Sequence, residues 1–182
     1  MFQRLNISLA LIAALLLAIP PIVLEARAIA AASLASAADT SGTVGGTVFT
    51  TASFTPTANA LVIGCVLNSH ASAAEEPVSV VGNGGTWVKI TTQLGDASTW
   101  RLTSYRYMQA SPSTGTLVFT YTGAQTGAAW KIHEFTGVDT SGTNGSGALV
   151  QFADDVIGTG NTTLTVTLGA FGDATNNVGD AC

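Results

Sequence analysis

His133-Glu134 makes the most direct chemical suggestion in the chain, because a histidine followed by a glutamate opens the helical zinc-hydrolase pattern. That pattern needs a second histidine four positions on, and position 137 is Gly137. The chain has two histidines in all, His70 being the other, so a histidine-rich catalytic metal site cannot be built. Ser69, His70, Glu75 and Glu76 contain the residue types of a Ser-His-acid triad. Neighbours on an extended chain point to opposite sides, however, which places Ser69 and His70 badly as nucleophile and base. Glycoside hydrolysis needs only two carboxylates, and Glu75, Glu76, Glu134, Asp154 and Asp155 are the candidates. Glu134 stands out as a single acid on a strand face beside Trp130, but nothing selects its partner. Asp154-Asp155 and the tail GDATNNVGD offer oxygen ligands for calcium without the spacing of a dedicated calcium loop, and read first as turns. No GxSxG elbow, no GxxxxGK loop and no GxGxxG run after a strand occurs. No catalytic residue, metal or cofactor is therefore assigned.

Binding without catalysis suits the side chains better. Sugar-binding sandwiches stack pyranose rings on flat aromatic side chains and add a few amide, hydroxyl and carboxylate partners. In TWVKITTQL, strict alternation puts Val88 and Ile90 toward the core and Trp87, Lys89, Thr91 and Gln93 outward. Trp87 abuts the turn GNGG, whose glycines let a ligand approach the backbone. In WRLTSYRYM, Arg101, Tyr105 and Tyr107 share one face, and Trp100, Leu102 and Met108 share the other. Asn83, Trp87, Arg101, Tyr105 and Tyr107 form the candidate platform. The competing account is that these aromatics complete the core or rim of the fold.

The elements that must carry these residues are strands. After a lead-in rich in Gly and Thr come VFTTASF, ALVIGCVLNS, TWVKITTQL, WRLTSYRYM, GTLVFTYT, AAWKIHEFT, GALVQFA and TTLTVTL. They are β-branched or aromatic, and turn clusters such as PTAN, GNGG, GDAS, SPSTG and TSGTNGSG separate them. TTLTVTL alternates Leu164, Val166 and Leu168 with threonines, the pattern of a half-buried strand. ALVIGCVL is apolar on both faces and reads as a central strand. In AAWKIHEFT, Trp130, Ile132 and Glu134 share one face, and Lys131, His133 and Phe135 share the other. His133 then reads as a strand-surface or satisfied core histidine. No 3.6-residue period follows residue 38. The expectation is an all-β antiparallel sandwich, of jelly-roll or immunoglobulin-like type. The polar stretch VDTSGTNGSG, between two apolar runs, reads as a turn with Gly142, Gly145 and Gly147 at positive-φ positions.

Composition sets the surroundings of that sandwich. Only 9% of the 182 residues are charged, 47% are hydrophobic, and the formal net charge is -5. Two lysines and four arginines make no basic patch, so nucleic acid and anionic membrane surfaces are poor partners. The N-terminus joins Arg4, the apolar run ISLALIAALLLAI and the small-residue stretch EARAIAAASLASAA, in the manner of a cleaved signal peptide. The expected division is a signal peptide over residues 1–28, with cleavage as late as 37, a flexible lead-in over 29–43, and a sandwich over 44–182. The protein is expected to be secreted or on the cell surface. Cys65 reads as a buried small hydrophobe, with a bridge to Cys182 as the alternative that export permits.

TWVKITT, MQASPSTGTLVF and above all AAWKIHEFTGVDTSG resemble a recurrent β-sandwich domain of exported bacterial and phage-associated proteins of unsettled function. The likeness covers about residue 44 to the end. It implies a surface or particle-associated sandwich and no catalytic residues. The chain departs from it after TTLTVTL, where GAFGDATNNVGDAC approaches a further strand and stops. Either the sheet suffices, or the sandwich is incomplete at its C-terminus, or another chain donates a strand. The leading functional expectation is a secreted, non-catalytic binding or adhesion module for a polysaccharide or cell-surface glycan. A structural subunit of an extracellular or phage-type assembly, self-associating through sheet edges, is the alternative. A carbohydrate-active enzyme comes third.

Overall fold

A computed structural model describes residues 29–37, 45–95, 98–155 and 165–169. The chain is an all-β sandwich of two antiparallel sheets. Its strands are β1 (Ala30–Ala37), β2 (Gly46–Thr50), β3 (Leu61–Ser69), β4 (Ser79–Gly82), β5 (Gly85–Thr86), β6 (Val88–Leu94), β7 (Trp100–Tyr107), β8 (Val118–Gln125) and β9 (Gly127–Thr136). One sheet has the order β1-β9-β3-β7-β6 and the other β2-β8-β4-β5. The pairings nest: β1 with β9, β2 with β8, β3 with β7, β4 with β5. A long hairpin rolled onto itself produces that nesting, so of the two expected sandwich types the topology is the jelly roll, with β6 added at one edge.

The interior between the sheets is aromatic. Phe49, Phe119 and Tyr121 from the four-stranded sheet meet Val62, Val66, Tyr105, Tyr107, Trp130 and Ile132 from the five-stranded one. Complete burial of each such side chain stabilises the fold by roughly 1.5–3 kcal/mol. As expected, β3 is central and apolar on both faces. Its other face, with Leu61, Ile63 and Cys65, meets Phe135 and Met108 in a second cluster on the outside of the five-stranded sheet. That cluster is covered by the polar stretch after β9, which lies down on the sheet. Gly145 (φ +81°) sits where a Cβ would come within 2.7 Å of Leu61 Cδ1, so only glycine lets the backbone approach this closely. Asp139 accepts from Ser141 N and Oγ, and Ser146 N donates to Thr143 O, which keeps the loop's polar groups satisfied while Val138 and Ala148 reach the cluster.

Three expected elements differ. Residues 147–153, GALVQFA, contain no strand. Ala148 packs onto the outer cluster, and the segment then crosses toward β6, where Thr91 Oγ1 and Gln93 Nε2 both donate to Asp154. The cleanest alternation in the sequence, TTLTVTL, is likewise no strand over residues 165–168, where Val166 and Leu168 are exposed; residues 162–164 lie outside those described. Alternation marks what a segment could bury, not whether a sheet edge is there to receive it. Conversely, AAASLASA, expected within a flexible lead-in, is strand β1 over Ala30–Ala37. It pairs with β9 from Ala30↔Thr136 to Ala37↔Trp130 through a bulge at Leu34, with Ala35 buried. Its alanines and serines carry little strand propensity, so the ladder to β9 is what holds it. Cys65, expected as an unpaired small hydrophobe, is disulfide-bonded; Cys182 and the expected signal segment lie outside the described residues.

A roll that lacks its first strand leaves the edge of β9 without its ladder. Two chains, one beginning at Ile29 and one at Ala38, are therefore expected to differ in thermal denaturation followed by circular dichroism. The longer melts cooperatively, and the shorter melts lower by about 10 °C or more, or without a cooperative transition.

Candidate functional site

Four of the platform residues, Asn83, Trp87, Tyr105 and Tyr107, are buried inside the sandwich, whereas Arg101 stands half-buried at the other end of β7 from Tyr107. Trp87 and Tyr107 stack face to face, with ring centroids 4.9 Å apart and planes 23° from parallel, and both are buried. Tyr105 is buried beside them in the same core. Alternation separated the faces of β7 correctly, but the face with Arg101, Tyr105 and Tyr107 looks at the opposite sheet rather than at solvent. Trp87 follows the same rule: alternation set Trp87 and Ile90 on opposite faces, as they are, but Trp87 is on the inner face and Ile90 joins the outer cluster. The register shift between Lys89 and Thr91 then leaves Thr91 and Gln93 on the outside, where both reach Asp154.

Asn83 is not a ligand contact but a tie. It occupies the tight β4–β5 turn with φ +55°, followed by Gly84 at φ +77°, the conformation that an Asn-Gly pair favours in a two-residue hairpin. Its Nδ2 lies 3.1 Å from Phe54 O, 3.3 Å from Ser113 O and 3.4 Å from Gly115 O, and its own carbonyl accepts from Tyr107 OH at 2.6 Å. The glycine-rich turn does permit a close approach, and the groups that approach are the side chains of Gln109 and Tyr107, which a Cβ on Gly85 would meet at 2.6 and 2.8 Å. Arg101 is half-buried. Its Nε donates to Ala74 O and its NH1 to Thr92 Oγ1, which fastens the 70–78 segment to the end of the five-stranded sheet.

The candidate catalytic groups are engaged elsewhere. His70 Nδ1 accepts from the backbone N–H of Ser72 and of Ala73 at 3.1 and 3.0 Å, shaping the turn after β3. Glu75 accepts from Gly123 N, and Glu76 pairs with Lys89. Glu134 shares a face with Trp130 and Ile132, as its strand pattern implied, and that face is the buried, inward one. One carboxylate oxygen accepts from Thr57 N at 2.8 Å and the other from Thr57 Oγ1 at 3.1 Å. Above it, at that end of the sandwich, is a cleft of about 360 Å³ lined by Thr57, Asn59, Thr136, Gly137, Val138 and Thr140 among others. Through these bonds Glu134 latches the 57–60 turn, and none of the residues lining the cleft is a carboxylate. Among the described residues there is no group of three or more His, Cys, Asp or Glu placed to hold a metal ion. No helix among them is long and apolar enough to cross a membrane.

The exposed aromatic that sequence reasoning passed over is Trp100. It begins β7 on the outer face of the five-stranded sheet, 49% exposed, two residues from Leu102 and opposite Ser69. Leu67, opposite Leu102, is also exposed. Gln93 pairs with Leu102 from the other side, and its amide reaches Asp154. An indole, a leucine shelf and an amide–carboxylate pair thus share one end of a flat face. The signal was present in WRLTSYRYM, where Trp100 fell on the face opposite the tyrosines. Once the tyrosines are core, that face is the outside.

Burial raises the ionisation of Tyr105, Tyr107 and Tyr121 above the ordinary phenol value of 10.0, with the Glu76 charge adding to the effect at Tyr105. These are all the tyrosines the chain has. A raised folded-state value means their contribution to stability is intact below the unfolded value and is lost as pH climbs above it. Tyrosinate absorbance is therefore expected to stay flat through pH 10 and then rise for all three phenols in one step, together with loss of the near-ultraviolet circular dichroism. A phenol that titrates near 10 in the folded protein would place that tyrosine at the surface.

No family model, no curated protein and no solved structure matches the chain.

Proposed function

We propose that the protein is a non-catalytic binding module for a neutral glycan, working outside the cell, with Trp100 as its stacking residue. The observation that carries this reading is the half-exposed indole of Trp100 on a flat sheet face beside exposed Leu67. A large aromatic held by a rigid strand loses little freedom on binding, and its ring face suits the C–H side of a pyranose. Gln93 and Asp154, already hydrogen-bonded to each other, present a donor and an acceptor at the neighbouring edge for sugar hydroxyls. The rows at this end, Trp100–Ser69–Gly127 and Gln93–Leu102–Leu67–Ala129, carry no charge of their own, while Lys131, Arg106 and His133 stand further along the face, which favours a neutral ligand at the indole over an anionic one. A catalytic reading has less support, because both oxygens of Glu134 are taken by Thr57. Export, as expected from the N-terminal sequence, would bring the module to extracellular polysaccharide or a cell surface.

Retention on a panel of insoluble neutral polysaccharides tests this directly. Wild type is expected to be held by at least one matrix, and Trp100→Ala to weaken retention about tenfold or more, as loss of a central aromatic contact does, with an unchanged melting temperature. Trp87→Ala should lose binding only by losing the fold. Retention that survives Trp100→Ala, or a folded wild type held by no matrix, would contradict the proposal.

A further inference from the structure

The four-stranded sheet carries no Asp, Glu, Lys, Arg or His on any of its strands. Residues 51–57 and 111–117, which flank it, carry none either. The five-stranded sheet, by contrast, bears Lys89, Arg101, Arg106, Lys131, His133 and Glu134. On the four-stranded sheet Phe49, Val80 and Phe119 point inward, so the alternate residues form its outer face. Thr50, Val118, Val81 and Thr86 stand in register across all four strands. Val48, Thr120 and Ser79 form the next row. Val48 is 49% exposed, Val81 55%, and Val78, leading into β4, 65%.

We infer that this face is a self-association surface, and that its partner is a second copy of the chain. The first argument is charge. A chain with a net charge of -5 repels its own copies, and an uncharged face is where two copies meet without opposing like charges. It offers nothing for an oppositely charged partner to recognise, whereas an identical Val/Thr grid is its chemical equal. The second argument is shape. Valine and threonine are stiff at χ1, so rows of them lose little entropy on contact, and two such sheets pack face to face about 10 Å apart. The edge strand β2 adds no charge or proline that would block approach. The third argument is size. Four strands at a spacing of about 4.8 Å, with about five residues along β8, cover roughly 300 Å² in plan. That is well below a standard interface, which makes the contact weak and reversible, suited to copies concentrated on a common surface.

Sedimentation equilibrium of the full-length chain, from about 10 μM to about 1 mM, spans the range in which a contact of this size dissociates. Wild type is expected to move from monomer toward twice that mass. The Val48→Lys/Val81→Lys variant is expected to stay monomeric at the same concentrations, with an unchanged melting temperature because both positions are exposed. Thr120→Lys places the charge in the middle of the same face and should act alike if the double variant folds poorly. Trp100→Ala should associate as wild type does, so failure of glycan binding and failure of self-association are distinguishable. A wild type that remains monomeric throughout, or association that persists unchanged in both lysine variants, overturns the inference. So does a face that, without self-association, retains the chain on a polysaccharide and loses it in the lysine variants.

Discussion

Trp87 lies where the chain passes from the four-stranded sheet to the five-stranded one, between β5 and β6, and its ring rests on Tyr107 of β7. The rest of the fold depends on this stack. Tyr107 also donates to Asn83 O, so a single side chain joins the crossing point to the tip of the roll at the β4–β5 turn. Asn83 then ties that turn to the segments around Phe54 and Gly115, which bridge to each other. A stacked aromatic pair is worth about 0.5–1.5 kcal/mol beyond the area it buries. Its larger effect is geometric, because it pins the point at which the chain crosses from one sheet to the other.

The two ends of the sandwich are closed differently from its middle. At one end Glu134 holds Thr57 through both carboxylate oxygens. At the other, Asn68 and Gln125, both fully buried, bond to each other and to the backbone around Glu75, while Glu75 caps Gly123. Buried polar groups of this kind cost stability when a partner is removed, and so favour one packing over its neighbours. Polar residues that looked like chemistry in the sequence therefore close the ends of the roll, and the candidate binding surface lies on an outer face instead.

Much of the architecture was legible because strand patterning is local. Six of the runs picked out by β-branched and aromatic content overlap strands, and Trp130, Ile132 and Glu134 share one face as alternation in β9 requires. What alternation cannot supply is which face of a sheet meets the other sheet. Tyr105 and Tyr107 were grouped correctly and placed on the wrong side, and Trp100 was overlooked for the same reason. Trp87 was misplaced in the same way, separated correctly from Ile90 but with the two sides exchanged. Strand β1 was hidden because an alanine- and serine-rich segment after an apolar run has the composition of a leader; only its ladder to β9 shows it to be structural. Residues 165–168 show the converse, a strong strand pattern outside any ladder.

The roll has an aromatic core, one outer face partly covered by its own loop, and another whose strands carry no charge. Trp100, not Trp87, is the aromatic that the fold leaves exposed. Iodide quenching of tryptophan fluorescence tests this most directly, since the chain has only Trp87, Trp100 and Trp130. One of the three emitters is expected to be accessible to iodide, and Trp100→Phe to remove the quenchable fraction, while Trp87→Phe leaves it in place. Quenching that persists in Trp100→Phe and disappears in Trp87→Phe would contradict it.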